Sequence, residues 1–351
     1  MTSNAALKAT LHGLYFSGIS TVARFWMGGI GSILMLHRVQ RVAPADFSPN
    51  AHLSVSPRFL DRLLGVLSRQ VDFVSLDEAA RRIRTASGRT DRPFVAVTLD
   101  DGYRDNLENA VPLFRKHAVP YTIFIAPGLI EGEATLWWED LEQAIAARDH
   151  FILPSQSVKV EFDVSTPARK RKVFAELLSF LTANVSEAEQ RGIVAELSWQ
   201  ADWDAAAHVR ASIMNWREIV DLARDPLCTI GAHTMNHFAL ARLKDRDARR
   251  EMVESARVLD LELGERPRHF AYPYGYPAAA GKREFAMARD AGFETAVTTR
   301  HGVIYPAHAA HMHALPRISV NGHFQAVRHV QTLISGVPTR IANRGRALNV
   351  G

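Results

Sequence analysis

Apolar runs and amphipathic segments alternate along most of the chain. Short uninterrupted apolar runs are typical of strands buried on both faces, and apolar residues recurring every three or four positions indicate helices packed on one face. The predicted strands are residues 32–36, 73–76, 94–99, 121–126, 227–233, 269–273 and 296–299. The predicted helices are residues 57–67, 77–84, 106–117, 247–264 and 284–292. This alternation predicts an α/β protein, and polar residues just beyond several strands favour a barrel with its chemistry at the carboxyl ends of the strands.

Three segments lack the repeated β-α pattern that the rest of the chain shows within residues 31–325. Residues 1–30 predict an N-terminal helical segment, and residues 137–210 predict a mainly helical insertion without a chemical motif. Residues 326–351 predict one helix followed by a frayed polar tail. The apolar side chains that can line one side of the N-terminal helix are Leu7, Leu11, Leu14, Tyr15, Val22 and Phe25.

Composition and charge narrow the classes of protein. The 351 residues are 47% hydrophobic and 23% charged, as in an ordinary globular protein that needs no disulfide to hold its core. The net charge is +5, but the basic residues are interleaved with acidic ones and do not alternate with aromatic residues. We therefore expect no nucleic-acid partner.

The N-terminal segment does not resemble a membrane anchor. No uncharged stretch reaches the roughly 18 residues that a spanning helix requires, and no compact apolar run precedes a cleavage site for secretion. We expect the N-terminal helix to dock on its own protein, with peripheral contact to a membrane surface as the alternative. The cytoplasm is the expected location.

Two acidic residues follow the clearest predicted strand. Asp100 and Asp101 come directly after residues 94–99, and adjacent residues at a strand end point in different directions. One carboxylate can therefore bind a metal ion while the other accepts a proton from water. Taken alone, Asp-Asp-Gly fits a polar turn equally well.

Two further strand ends carry candidate chemistry. His233 and His237 follow the strand at 227–233, and an H-x-x-x-H spacing places both rings on one side if the segment enters a helix, which suits a divalent ion. Residues 269–277 contain two prolines and a glycine, and a loop stiffened in this way can hold a backbone N–H toward an oxyanion. The alternative for this loop is an aromatic-rich turn packed on the core.

Together these motifs resemble the polysaccharide deacetylase family, also called carbohydrate esterase family 4, over about residues 33–320. The resemblance implies a distorted (β/α) barrel that removes N-acetyl groups from N-acetylglucosamine-type units of a polysaccharide or oligosaccharide. It implies an N-acetylated carbohydrate as substrate, and a role in cell-surface or exopolysaccharide metabolism. It also implies a divalent metal ion, with Zn²⁺ favoured and Co²⁺, Ni²⁺ or Mn²⁺ left open by the ligand types.

The resemblance implies a role for each motif residue. Asp100 takes the role of the general base, whereas Asp101, His233 and His237 take those of the metal ligands. The backbone N–H of Tyr274 is implied to stabilise the oxyanion.

The sequence departs from the family pattern at two places. Many members have an arginine that pairs with the base where this chain has Ala271, and Arg317 is our candidate for its replacement. No leucine-histidine motif follows Thr299. Instead, the segment SILMLHRV resembles the circularly permuted poly-N-acetylglucosamine deacetylase branch, which makes His37 the candidate general acid. The alternative for His37 is a histidine that caps a buried strand.

Tyr272 and Trp138 are further candidates for contact with the substrate or support of the site. Trp137, Trp203 and Trp216 can also stack on sugar rings, with core packing as the alternative. Two other functions stay open at this point. One is a glycan-binding relative with impaired chemistry, and the other is a metal hydrolase of a non-sugar C–N bond in the same fold.

Overall fold

The computed structural model describes residues 4–17, 28–42, 45–88, 92–153 and 160–350. The strands are β1 (Gly31–Leu36), β2 (Arg38–Val39), β3 (Ser54–Val55), β4 (Asp72–Phe73), β5 (Phe94–Leu99), β6 (Tyr121–Ile125), β7 (His150–Leu153), β8 (Val160–Asp163), β9 (Cys228–Ala232), β10 (His269–Ala271), β11 (Thr295–His301) and β12 (Leu315–Ser319). The α-helices are α1 (Asn4–Phe16), α2 (Pro57–Leu67), α3 (Leu76–Thr85), α4 (Val111–His117), α5 (Pro127–Glu131), α6 (Trp137–Ala146), α7 (Pro167–Ala183), α8 (Glu187–Gln200), α9 (Ala205–Ser212), α10 (Trp216–Ala223), α11 (Asp245–Leu263), α12 (Lys282–Asp290), α13 (Val327–Ile334) and α14 (Val337–Ala342).

Seven parallel strands of the described chain close into a barrel. Their order is β1, β12, β11, β10, β9, β6 and β5, and β5 pairs again with β1, from Gly31 opposite Phe94 to Leu36 opposite Leu99. Both β1 and β5 are buried along their whole length. This is the pattern expected where one face of a strand fills the barrel and the other meets a helix. The predicted (β/α) barrel is confirmed.

Local sequence explains where the outer helices begin and end. The side chain of Ser56 accepts a hydrogen bond from the Phe59 N–H (3.3 Å) at the start of α2, and Pro57 occupies the first turn. The apolar side of α2 is buried against the barrel. At the other end of a helix, Gly264 ends α11 with φ 74°, a conformation that glycine adopts without strain.

One barrel strand was not predicted, and the structure of residues 326–351 differs from the prediction. β12 was not predicted because Pro316 interrupts its apolar pattern, yet it lies between β1 and β11 in the barrel. The tail contains two helices, α13 and α14, where one was predicted. It is also not frayed as expected, since Ala347 and Val350 pack against the core.

The predicted helix 106–117 also differs from the structure. Its first turn, Asn106–Ala110, is a π-helical turn, and the regular helix α4 begins only at Val111. Turns of this kind are frequent at functional sites. Here the side-chain amide of Asn106 donates a hydrogen bond to the backbone carbonyl of His37 (2.8 Å).

The described part of segment 137–210 contains helices α6 to α9 and one antiparallel hairpin, β7–β8, which was not predicted. It builds a second hydrophobic cluster around Trp137, Leu141 and Leu177, which also takes in barrel-side residues such as Tyr103. The division of the chain at residues 30, 137, 210 and 325 stays a prediction.

Helix α1 packs on α13 and buries Leu11, while Leu7 and Tyr15 are exposed. The predicted contributions of Val22 and Phe25 to this helix lie outside the described residues.

A glycine makes room for an aromatic ring inside the barrel. Gly231 of β9 lies opposite Phe124 of β6, and a Cβ atom added at Gly231 would overlap the Phe124 ring. The same ring lies 5.9 Å from the guanidinium carbon of Arg317 and 6.5 Å from the His233 ring. Gly231 therefore lets Phe124 pack beneath the carboxyl ends of the strands.

We predict that Gly231→Ala lowers the free energy of unfolding by about 1–3 kcal/mol, because the ring must leave its position. Gly192→Ala is the matched control, since Gly192 is an exposed position of α8 with nothing within 4 Å of the added atom. The control should leave stability unchanged or raise it by up to about 1 kcal/mol. Denaturant unfolding of both variants measures the difference, and equal stabilities would contradict the packing account.

Candidate active site

A cavity of about 530 Å³ lies at the carboxyl ends of the barrel strands. Its lining includes eight residues that the sequence singled out: His37, Asp100, Asp101, Trp137, Trp138, His233, His237 and Tyr274. They come from the ends of β1, β5, β9 and β10 and from α6. The strand-end motifs therefore meet in one place, as a parallel barrel requires.

Three of these side chains converge on a single point. The Asp101 Oδ1 atom is 3.3 Å from the His233 Nε2 atom and 3.1 Å from the His237 Nε2 atom. All three residues are buried, with at most 4% of each exposed. In the described part of the chain, this is the group of histidine and acidic side chains whose ligand atoms are close enough to share a metal ion.

The nitrogen and oxygen atoms of this group are arranged for binding a metal ion rather than for hydrogen bonding to one another. The His233 Nδ1 atom is 2.7 Å from the Ala271 carbonyl, a partner that fixes the ring with its Nε2 atom turned toward Asp101. The Asp101 Oδ1 atom is buried without a hydrogen-bond partner among the described residues. Tetrahedral ligands at about 2.0–2.2 Å from an ion lie roughly 3.4 Å apart, close to the separations found here.

Ionisation in the group also matches metal binding. Burial lowers the pKa of His237 to about 4, so its imidazole is neutral at physiological pH. Burial opposes ionisation of Asp101, but His237 and His233 outweigh it and hold the pKa of Asp101 well below its usual value. Metal ligands must be deprotonated, and both side chains meet that requirement.

Left-handed backbone conformations concentrate at the site. Asp101, Thr234, His237 and Tyr274 have φ values of 73°, 61°, 56° and 62°. Such conformations cost residues other than glycine of order 1–3 kcal/mol each and persist where the surroundings enforce them. The segment does not enter a helix, which was the condition under which the H-x-x-x-H spacing alone would place both rings on one side. The left-handed turns at Thr234 and His237 fold the segment back instead, and this brings both rings to Asp101.

Asp100 forms a two-point ion pair with Arg317. The two guanidinium nitrogens Nη1 and Nη2 donate to its two carboxylate oxygens at 2.7 and 2.6 Å. Arg317 is itself held by the Thr298 carbonyl (2.9 Å) and the Thr98 hydroxyl (3.1 Å). Burial alone would raise the pKa of Asp100, but Arg317 outweighs burial and holds that pKa below its ordinary value.

This contact bears on Ala271, the position at which many family members have the arginine that pairs with the base. Ala271 lies buried in β10. Arg317 reaches the same carboxylate from β12, where the sequence did not predict a strand. The assignment of Arg317 as the replacement for the family arginine stays a prediction. The ion pair with Asp100 that this assignment requires is present.

His37 lies beside this ion pair. Its Nε2 atom is 4.0 Å from the Asp100 Oδ2 atom, and 23% of its side chain is exposed. The ring follows β1 directly and lines the cavity, so a molecule bound there can contact it. Its role as general acid stays a prediction.

Tyr274 occupies a tight turn over the cavity. The Gly275 N–H donates to the Pro273 carbonyl across it (2.7 Å), and no described residue accepts a hydrogen bond from the Tyr274 N–H. The Tyr274 hydroxyl accepts a hydrogen bond from the Trp137 indole (2.7 Å). The Tyr274 side chain therefore helps to hold the turn in place, while the Tyr274 N–H has no hydrogen-bond acceptor in the described chain.

The other aromatic candidates separate into two groups. Trp138 and Trp137 line the cavity, and the Trp138 ring lies 4.9 Å from the His237 ring. Tyr272 is fully buried and its hydroxyl donates to the His313 carbonyl (2.9 Å), so it can support the loop but does not line the cavity. Trp203 and Trp216 do not line it either.

Several lining residues were not foreseen. They come from the 3-10 turn before β3, from α7 and from the end of β12 and the segment after it, and they are Asn50, His52, Leu53, Leu178, Thr182, Ser319 and Asn321. No strand-end motif or spacing marks them. Only His52 has a chemically distinctive side chain, and its ring stacks on that of His323 at 5.3 Å.

The fold and the site define a (β/α)-barrel enzyme with a buried Asp-His-His group beside an ionised aspartate. The sequence matches the family model described as polysaccharide deacetylase over residues 87–161 and 175–296, more than half of the chain. The protein therefore belongs to the polysaccharide deacetylase family. Comparison with curated protein sequences finds no match.

Solved structures of deacetylases share the fold. The Streptococcus pyogenes deacetylase PplD in complex with acetate is 18% identical with a TM-score of 0.57, over 86% of this chain and 97% of that one. IcaB from Ammonifex degensii is 18% identical with a TM-score of 0.55, over 88% and 97%. A de-N-acetylase from Aggregatibacter actinomycetemcomitans is 12% identical with a TM-score of 0.51, over 82% and 93%.

We predict that Asp100→Asn and Asp101→Asn separate metal binding from proton transfer. Asp101→Asn should lose bound Zn²⁺ or Co²⁺, because the amide removes an anionic ligand. Asp100→Asn should retain the metal and lose turnover by about 10²–10⁴-fold, the usual contribution of a general base. Metal content after dialysis and acetate release measure the two effects. Equal loss of metal from both variants would contradict this division of roles.

Proposed function

We propose that this protein is a metal-dependent de-N-acetylase that acts on N-acetylglucosamine-type units of a polysaccharide or oligosaccharide. The observation that carries the proposal is the buried group of Asp101, His233 and His237 directly beside the Asp100–Arg317 ion pair. The structural neighbours named as a de-N-acetylase and as a deacetylase with acetate support the same reaction class.

Zn²⁺ is the metal that the donor set fits best. Two neutral imidazoles and one carboxylate are a common set of protein ligands for catalytic zinc, although Co²⁺, Ni²⁺ and Mn²⁺ accept the same donors. When bound, such an ion supplies Lewis acidity toward water and toward an acyl carbonyl.

Three residues of the chain then have separate roles in the reaction. Asp100, kept ionised and oriented by Arg317, accepts a proton from the water that attacks the acetyl carbon. The unused N–H of Tyr274 donates to the oxyanion that forms there. His37 gives its proton to the sugar nitrogen as the C–N bond breaks. The products are acetate and a free amino sugar.

A sugar amide suits the cavity better than a small apolar amide does. Aromatic side chains of Trp138, Tyr274 and Tyr276 stand among amide and hydroxyl groups such as those of Asn50 and Thr182. Aromatic faces pack on the C–H faces of sugar rings, while amides bond their hydroxyl groups. A role in cell-surface or exopolysaccharide metabolism is part of the proposal. A non-sugar C–N bond is the alternative that the substrate panel below tests.

Assignment to the circularly permuted poly-N-acetylglucosamine deacetylase branch rests on His37 as the acid and stays a prediction. The structure has no described helix with the length and apolar character needed to cross a membrane. Helix α1 exposes Leu7, Tyr15 and Phe16, which supports peripheral membrane contact as a prediction. The cytoplasmic location is likewise a prediction.

We predict that N-acetylglucosamine oligomers release acetate faster than peptidoglycan, O-acetylated xylan or a non-sugar acetamide. A strong chelator should abolish this activity, and added Zn²⁺ or Co²⁺ should restore it, because the ion supplies the Lewis acidity. Acetate release across the panel measures both effects. Full activity in metal-free protein would overturn the metal-dependent mechanism, and activity confined to non-sugar amides would overturn the substrate class.

We predict that His37→Ala retains its metal but loses amide deacetylation by roughly 10²-fold or more. It should largely keep activity on an activated aryl acetate ester, because a good leaving group departs without a proton. Parallel assays of the amide and the ester make the comparison. If both activities fall together while metal stays bound, His37 is structural, and the acid must be sought among the histidines of residues 301–323.

A further inference from the structure

The loop between the two candidate histidine ligands is held by charged side chains from two helices outside the barrel strands. Glu251 of α11 accepts hydrogen bonds from the Asn236 backbone N–H (2.7 Å) and from its side-chain amide (2.8 Å). Arg191 of α8 approaches the same loop and donates to the His237 carbonyl (3.2 Å), with a longer contact to the Asn236 carbonyl (3.5 Å). Helix α11 thus binds a backbone N–H of the loop, and helix α8 binds its backbone carbonyls.

Arg191 is fixed in place by further contacts. Its Nη1 atom donates to the Thr135 carbonyl (3.3 Å), and the guanidinium carbon lies 5.4 Å from the centre of the Phe238 ring. Glu187, one turn earlier on α8, is only 2% exposed and balances the charge. One of its carboxylate oxygens is 4.0 Å from Arg191, and the other is 2.8 Å from Arg242.

His237 depends on its backbone for orientation more than His233 does. A metal-ligating histidine usually donates its second ring N–H to a fixed partner, and this sets the direction of the ring. His233 has such a partner in the Ala271 carbonyl, whereas the Nδ1 atom of His237 is buried without a hydrogen-bond partner among the described residues. The left-handed backbone of His237 must therefore be held by other means, and Arg191 binds the carbonyl group of that same residue.

We propose that Arg191 is a positioning residue for His237, and that helix α8 thereby sets the affinity of the metal centre. The inference rests on the metal centre proposed above. Removal of the guanidinium frees the His237 carbonyl, and the ring then spends less time with its Nε2 atom directed at Asp101. The helical segment 137–210, which carries no motif of its own, contributes to metal binding through this contact.

The test compares Co²⁺ binding by full-length wild type, Arg191→Met and Arg191→Lys. Competition with a chelator of known affinity gives the dissociation constant, and the visible absorption of bound Co²⁺ reports its ligand geometry. Arg191→Met should raise the dissociation constant by about 10–100-fold, the usual effect of losing a partner that orients a ligand. Arg191→Lys should fall between the two, because a single ammonium replaces the charge but not the fork of donors.

Arg283→Met is the matched control. Arg283 also donates to backbone carbonyls, those of Leu240 (2.9 Å) and Leu243 (3.0 Å), but it does not contact His237. This variant should bind Co²⁺ within twofold of wild type with an unchanged spectrum, even where its stability falls.

Each outcome decides the inference. Co²⁺ binding by Arg191→Met equal to that of wild type overturns the role of Arg191 and leaves the metal centre intact. If Arg191→Met does not fold, the raised dissociation constant must appear in Arg191→Lys, and its absence there overturns the inference. Wild type that binds no Co²⁺ and no Zn²⁺ overturns the proposed metal centre together with this inference.

Discussion

Two adjacent carboxylates, Asp100 and Asp101, are buried side by side at the end of β5. Burying an anion is expensive unless a cation or several polar groups compensate it, and two neighbouring anions also repel each other. The structure gives the two carboxylates different surroundings. Arg317 holds Asp100 at two points, whereas Asp101 faces the imidazoles of His233 and His237, where a bound metal ion would supply the compensating positive charge.

These different surroundings suit the two roles proposed for the Asp100–Asp101 dipeptide. A carboxylate paired with a guanidinium stays ionised and cannot leave its position, as a base near a reacting molecule requires. A carboxylate grouped with two imidazoles whose Nε2 atoms point at it forms a set of donors that a divalent cation can bind. The barrel provides the rigidity, because the register from Gly31 opposite Phe94 to Leu36 opposite Leu99 fixes β5 against β1 and so fixes His37 beside Asp100.

Residues outside the barrel strands hold the strained backbone of the site in place. His237 and Thr234 adopt left-handed conformations that an isolated loop would abandon, and the charged groups of Glu251 and Arg191 hold that loop. Segment 137–210 also supplies cavity walls, including Trp138. A segment without any motif is therefore part of the site, because it holds and encloses residues that the motifs provide.

The sequence by itself determined the barrel class and the candidate residues at strand ends, because both depend on local order. An apolar run followed by Asp100 and Asp101, or by His233, is visible within a dozen residues, and parallel strands must bring such ends together. The partnership of Asp100 with Arg317 was decided only by the tertiary structure. These residues are 217 positions apart, and their contact depends on the placement of β12 beside β1. The left-handed turn at His237 was decided in the same way. The H-x-x-x-H spacing alone would bring the two rings together only in a helix, whereas here contacts from distant helices hold a turn that does so.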